Sequence, residues 1–228
     1  MTRDEEISHR LNDVEERIIT ALTKVGRMRS EIELIAVTKN FPVSDAQILY
    51  RLGLRVFGEN RDQEGALKSE QMPMDIDWHF QGQIQGRKIK SIASWADSIH
   101  SLDSLDHARR FDVIAESKVH NFFIQVNLEP SRRDRGGVSA QELEPLLTAI
   151  SSETEISPVG LMTVAPTEME PARAFAEMKS IQDRLLDSFP SITALSMGMS
   201  GDFEAAIAAG ATHLRIGSSI LGSRGLPA

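Results

Sequence analysis

Residues 32–57 read IELIAVTKNFPVSDAQILYRLGLRVF, and this one stretch contains the repeating unit of the fold. Its apolar run Ile32–Val37 reads as a strand. Ser44-Asp45-Ala46-Gln47 then fits a capping box, in which the first and fourth side chains satisfy each other's backbone N–H groups, and so opens a helix. Leu54–Phe57 is the next strand. Further out, short apolar runs recur at Ile76–Phe80, Ser98–Leu102, Asn121–Leu128, Ile156–Met162, Thr193–Met197 and His213–Ile216, giving eight candidate strands. Helical stretches separate them: Arg61–Lys68, Ile84–Trp95, Leu105–Val113 with Asp103 as its capping oxygen, Pro171–Leu186 and Asp202–Ala209. Ser139-Ala140-Gln141-Glu142 offers a second capping box. Alternating strands and helices with short connections imply parallel strands joined by right-handed crossovers. Eight such strands close more naturally than they stay open, so the expected fold is α/β, a single (β/α)₈ barrel of TIM type. An open doubly wound sheet is the rival.

Little chain remains after Ile216, so only seven full helices follow strands. The segment 1–28 carries Ile7, Leu11, Val14, Ile18, Ile19, Leu22 and Val25 at three- and four-residue spacing, and this amphipathic helix is expected to cover the gap. No repeat, low-complexity tract or linker interrupts the chain, so residues 1–228 are expected to form one domain. The loop Glu129–Val138, EPSRRDRGGV, reads as mobile.

The chain has no cysteine, which excludes disulfides and thiolate metal sites and fits a reducing, cytoplasmic setting. The N-terminus has no uninterrupted apolar stretch of secretory type, and nowhere do about 18 apolar residues run together, so no membrane span is expected. A formal net charge of −8 argues against a general nucleic-acid binder.

In a barrel, functional groups collect at the C-terminal ends of the strands, and phosphate often sits on the loops after strands seven and eight. Lys39 ends the first strand. Desolvated there, its amine could lose a proton and attack an aldehyde; taken alone, it reads first as a strand-end lysine reaching solvent. Ser196-Met-Gly-Met-Ser200 ends strand seven, where small residues allow close backbone approach to an anion; Ser200 could also cap the following helix. Arg215 interrupts an apolar strand eight just before Gly217, Ser218 and Ser219. A buried arginine needs an anionic or acceptor partner, whether a ligand or one of the chain's carboxylates. Asn60 and the segment His79-Phe-Gln-Gly82 supply further polar groups, with His79 readable as core or as a contact for an aromatic ligand. Gln125 and Asn127 point the same way on strand five. Met162-Thr163 ends strand six. The histidines do not cluster with acids in a metal-binding pattern, so no metal is expected. The residues thus point to a barrel binding a small phosphorylated molecule, with Lys39 as a candidate for covalent attachment.

The segments Ala36-Val-Thr-Lys39, Val56-Phe-Gly-Glu-Asn60, Trp78-His-Phe-Gln-Gly82-Gln-Ile-Gln85, Gly160-Leu-Met-Thr163, Leu195-Ser-Met-Gly-Met-Ser200 and Arg215-Ile-Gly-Ser218 occur in one order. Along essentially the whole chain they resemble the pyridoxal-phosphate homeostasis protein family. The resemblance implies a barrel of the alanine-racemase type without the racemases' second β-domain. It implies pyridoxal 5′-phosphate (PLP) held as an internal aldimine on Lys39, with Ser200, Gly217 and Ser218 around the phosphate and Arg215 facing the pyridine nitrogen. Asn60, His79, Met162 and Ser196 fall in segments that surround the cofactor. A guanidinium at that nitrogen opposes its protonation and weakens the ring as an electron sink, which suits carriage better than turnover. The resemblance therefore implies a monomeric, non-catalytic carrier that buffers PLP, influences amino-acid and keto-acid balance, and serves apo-PLP enzymes as recipients. A weak amino-acid racemase and a Schiff-base aldolase are the enzymatic alternatives. The chain departs from the family's common pattern at Asn40-Phe41, at Gly86-Arg87 and in the arginine-rich loop 131–137.

Overall fold

The computed structural model describes residues 1–114, 117–129, 131 and 136–222. Half of the arginine-rich loop 129–138 that the sequence reads as mobile, residues 130 and 132–135, lies outside the described residues. Eight parallel strands close in sequence order into one barrel: β1 (Glu33–Val37), β2 (Val56–Glu59), β3 (Asp77–Phe80), β4 (Ser98–Leu102), β5 (Asn121–Gln125), β6 (Gly160–Met162), β7 (Ala194–Ser196) and β8 (His213–Ile216). The open sheet is thereby excluded: β1 pairs with β8 through Glu33↔His213 to Ala36↔Ile216. Strands β5, β6 and β7 are shorter than the apolar runs that announce them. Val126 makes only an isolated bridge to Val138, because apolarity marks burial and continues past the ladder.

Each strand is followed by a helix: α2 (Val43–Arg51), α3 (Asp62–Gln71), α4 (Ile89–Trp95), α5 (Leu105–Asp112), α6 (Ala140–Glu153), α7 (Pro171–Leu185), α8 (Phe203–Ala208) and the single turn α9 (Ser218–Leu221); α1 (Arg3–Lys24) precedes them. A short 3₁₀ turn, Gly86–Lys88, replaces the start of the helix expected from Ile84. The capping box at Ser139 forms as read, with Glu142 N–H donating to Ser139 Oγ at 3.3 Å. The other two caps differ. Pro42 precedes the first turn of α2, so Ser44 lies inside the helix, and Ser104 rather than Asp103 accepts from His107 N–H at 3.2 Å.

Helix α1 fills the gap beside α9 as expected, burying Ile7, Leu11, Val14, Ile18, Ala21 and Leu22 against α8 and α9. Arg3 fastens it at both edges, donating to Asp45 Oδ2 at 2.6 Å and to the Leu221 carbonyl at 2.9 Å. Ile19 and Val25 instead face solvent, since a helix with one covered side buries only one stripe. Among the described residues no helix is long and apolar enough to cross a membrane.

Candidate functional site

The C-terminal ends of the strands surround a cavity of about 800 Å³, within the range typical of small-molecule sites. Lys39, Asn60, Met162, Ser200, Arg215, Gly217 and Ser218, chosen from the sequence, all line it. The fold therefore brings together seven residues spread over 180 positions, between 39 and 218. Gln81 and Gln125 line it too; Gln81 sits inside a segment the sequence singles out, but it was not selected as a site residue. Asn60 Oδ1 and Gln81 Nε2 are buried and have no hydrogen-bond partner, a costly state that a polar ligand would relieve.

Lys39 is held by a buried charge cluster directly behind it. Lys68 of α3, 2% exposed, donates to the Thr38 carbonyl at 2.8 Å, to Glu59 at 2.6 Å and to Glu64 at 2.8 Å. Thr38 Oγ1 donates to the same Glu59 oxygen at 2.5 Å, and Glu64 accepts the Asn40 N–H at 2.6 Å. Burial pushes the Glu59 carboxyl up from its ordinary value, opposed by Lys68. Asn40 takes φ +62°, a conformation asparagine tolerates better than most residues. Peptides 38–40 are thus pinned on both sides of the lysine.

The loops after β7 and β8 form one wall and are tied to each other. Ser219 N–H donates to Ser200 Oγ at 3.1 Å, and Ser219 Oγ donates back to the Ser200 carbonyl at 3.3 Å. Ser200 therefore does not cap α8. Asp202 takes that position and accepts the Met199 N–H at 2.6 Å. Gly198 sits at φ +92°, where a Cβ would stand 2.6 Å from Ala206 Cβ, and its carbonyl accepts the Arg215 N–H at 3.0 Å.

Arg215 is 5% exposed and makes no salt bridge among the described residues, the Asp202 carboxylate acting on it only from a distance. It donates to Ser196 Oγ at 2.7 Å and to the Thr163 carbonyl at 2.8 Å. Burial lowers its pKa to about 10, so it remains cationic at neutral pH. Ser196 is fully buried beneath Arg215 and does not line the cavity; it acts there only through the guanidinium.

His79, like Ser196, does not line the mouth cavity, and the structure places it farther away. Its imidazole lies inside the barrel, Nδ1 2.7 Å from His100 Nε2, and it lines a separate cavity of about 220 Å³ with Glu33, Asp77 and His213. The strand tilt explains the difference. His79 is next to last in β3 but pairs with Ser98, first in β4, which pairs with Asn121, first in β5. Position along one strand is not depth in a tilted barrel. His100 continues the column, its Nδ1 2.7 Å from Ser196 Oγ and its ring stacked on Phe123 at 4.3 Å; burial holds its pKa well below the ordinary value.

The family described as alanine racemase, N-terminal domain, matches residues 17–225. The pyridoxal phosphate homeostasis protein of Escherichia coli (strain K12) is 36% identical over 228 residues, covering 96% of this chain and 97% of that protein. This chain belongs to the pyridoxal phosphate homeostasis protein family. Among solved structures similar to this family member, PipY of Synechococcus elongatus PCC7942 with PLP bound has a TM-score of 0.77 at 32% identity, covering 90% of this chain and 100% of that one. Alanine racemase from Corynebacterium glutamicum, at 16% identity and TM-score 0.69, shares the fold; 95% of this chain covers 60% of the racemase.

Proposed function

We propose that this protein binds PLP in the mouth cavity and serves as a carrier that buffers the cofactor for apo-PLP enzymes. The observation that carries the reading is the convergence of an amine, Lys39, and a buried cation without a salt bridge, Arg215, on one cavity of about 800 Å³. The donor set fits the group. Lys39 supplies an amine for the aldehyde, and Ser200, Gly217 and Ser218 supply hydroxyls and unobstructed backbone for the phosphate. Arg215 supplies donors for the ring nitrogen. Asn60 and Gln81 hold polar atoms without partners, ready for ligand oxygens. When bound, PLP supplies an electrophilic carbon for amines. Arg215, cationic at neutral pH, discourages a proton on the ring nitrogen and so restrains further chemistry.

Carriage is favoured over racemisation by what stands opposite the lysine. Among the described residues lining the cavity, Lys39 and Arg215 are the only ionisable groups. The chain's single tyrosine, Tyr50, is bonded to Asp75 at 2.8 Å. Moving a proton from one face of a substrate to the other needs a second acid–base group. The reading includes a monomer acting in the cytoplasm.

Borohydride reduction of the PLP-loaded protein, followed by peptide mapping, tests the attachment. The label is expected on residue 39, and Lys39→Ala is expected to keep weaker, non-covalent binding through the phosphate seat. A label on another lysine, or no uptake of PLP, would overturn the reading. Transfer of cofactor to an apo-enzyme without turnover of D- or L-alanine distinguishes carrier from racemase, and gel filtration tests the monomer.

A further inference from the structure

We propose that the floor of the barrel holds a divalent transition cation, of the zinc class, on Glu33, Asp77 and His79. The floor layer of a barrel is normally packed with branched apolar side chains. Here the first residues of β1, β3 and β8 are Glu33, Asp77 and His213, and His79 follows on the inner face of β3. Glu33, Asp77 and His79 each bring one ligand atom to within 4.8 Å of the others. Two carboxylates and a neutral imidazole carry the charge that offsets a divalent cation and combine the nitrogen and oxygen donors that zinc accepts.

The second, independent observation is His79 itself. It is 2% exposed, and its Nε2 is buried without a hydrogen-bond partner. Asp77 Oδ1 is orphaned in the same way, although the two atoms are 3.2 Å apart. Two atoms close enough to bond, yet not aligned to do so, have the spacing of adjacent ligands on one ion, about 3.4 Å for tetrahedral zinc. Nor is the ring free to turn away, since Nδ1 is held by His100 at 2.7 Å.

That contact also supplies the support a metal-binding histidine needs. In the tautomer protonated at Nδ1, His79 would donate to His100 Nε2 and turn the Nε2 lone pair toward Asp77 and an ion. His100 Nδ1 is in turn hydrogen-bonded to Ser196 Oγ, which accepts from Arg215. One hydrogen-bonded column therefore runs from the floor site to the guanidinium at the mouth. The half-exposed Glu33, Asp77 and His213 leave the about 220 Å³ floor cavity open to ions from the N-terminal face.

Zinc chloride titrated calorimetrically into the EDTA-treated full-length protein tests the site. One equivalent is expected to bind, with affinity reduced at least tenfold in each of Asp77→Asn, Glu33→Gln and His79→Gln. The isosteric carboxamide variants guard against a folding defect in the histidine variant, and circular dichroism checks all three. The exposed His9–Asp13 pair on α1 is the competing surface site, and His9→Ala is expected to leave the affinity unchanged. No saturable uptake overturns the proposal. So does uptake that survives Asp77→Asn and Glu33→Gln but disappears with His9→Ala.

Discussion

Among the described residues two cationic side chains, Lys68 and Arg215, are buried in this barrel, and they are treated in opposite ways. Lys68 is 2% exposed and saturated: Glu59, Glu64 and the Thr38 carbonyl accept its hydrogen bonds. Arg215 is 5% exposed and meets only a hydroxyl and a carbonyl. The first charge has its counter-charges built into the protein and serves to fix the backbone that carries Lys39. The second has no carboxylate in contact and lines the mouth cavity. A buried charge with carboxylates around it is architecture; one without them is aimed at a ligand.

The contrast can be broken most directly at Lys68. Lys68→Met leaves Glu59 buried and uncompensated, with an expected loss of about 3–5 kcal/mol in urea denaturation. Adding Glu59→Leu should recover much of that loss; if the single variant is neutral, the cluster is not structural. Next in size is Gly198→Ala, which forces a left-handed alanine against Ala206 beside the Arg215 backbone. An expected cost of about 2 kcal/mol should appear in the same measurement, accompanied by weaker PLP binding. Arg215→Gln sharpens the other half of the comparison. Without ligand it should cost only about 1 kcal/mol, because no ion pair is broken, while visibly changing the absorption spectrum of the PLP-loaded protein. An unchanged spectrum would mean the guanidinium does not face the ring. Smallest is Glu64→Gln: the Asn40 N–H keeps an acceptor and the half-exposed contact to Lys68 is weakened, so less than about 1 kcal/mol is expected.

Much of this was legible along the chain. Short apolar runs separated by helical stretches announced eight strands; polar and small residues at strand ends pointed to Lys39, Ser200, Arg215, Gly217 and Ser218, while Asn60 and Met162 joined the cofactor set through the family resemblance. The misreadings share a cause. His79 was assigned to the mouth from its place near the end of β3, and Ser44 and Asp103 to caps one or two residues out of place. Glu59, Lys68 and His100 were not chosen at all. An i, i+4 pair such as Glu64 and Lys68 looks like surface decoration until α3 turns it inward.

The sequence by itself determined the order of elements, the closure into a barrel and the gathering of Lys39, Arg215 and the small-residue loops at one end. Those features follow from local periodicity and from which end of a parallel strand its last residue occupies. Only the tertiary structure decided which charges are neutralised, that His79 belongs to the floor, and that a column of side chains links floor to mouth. Depth and pairing are set by the tilt of neighbouring strands and by contacts between residues as distant as His100 and Ser196, and no local pattern encodes either.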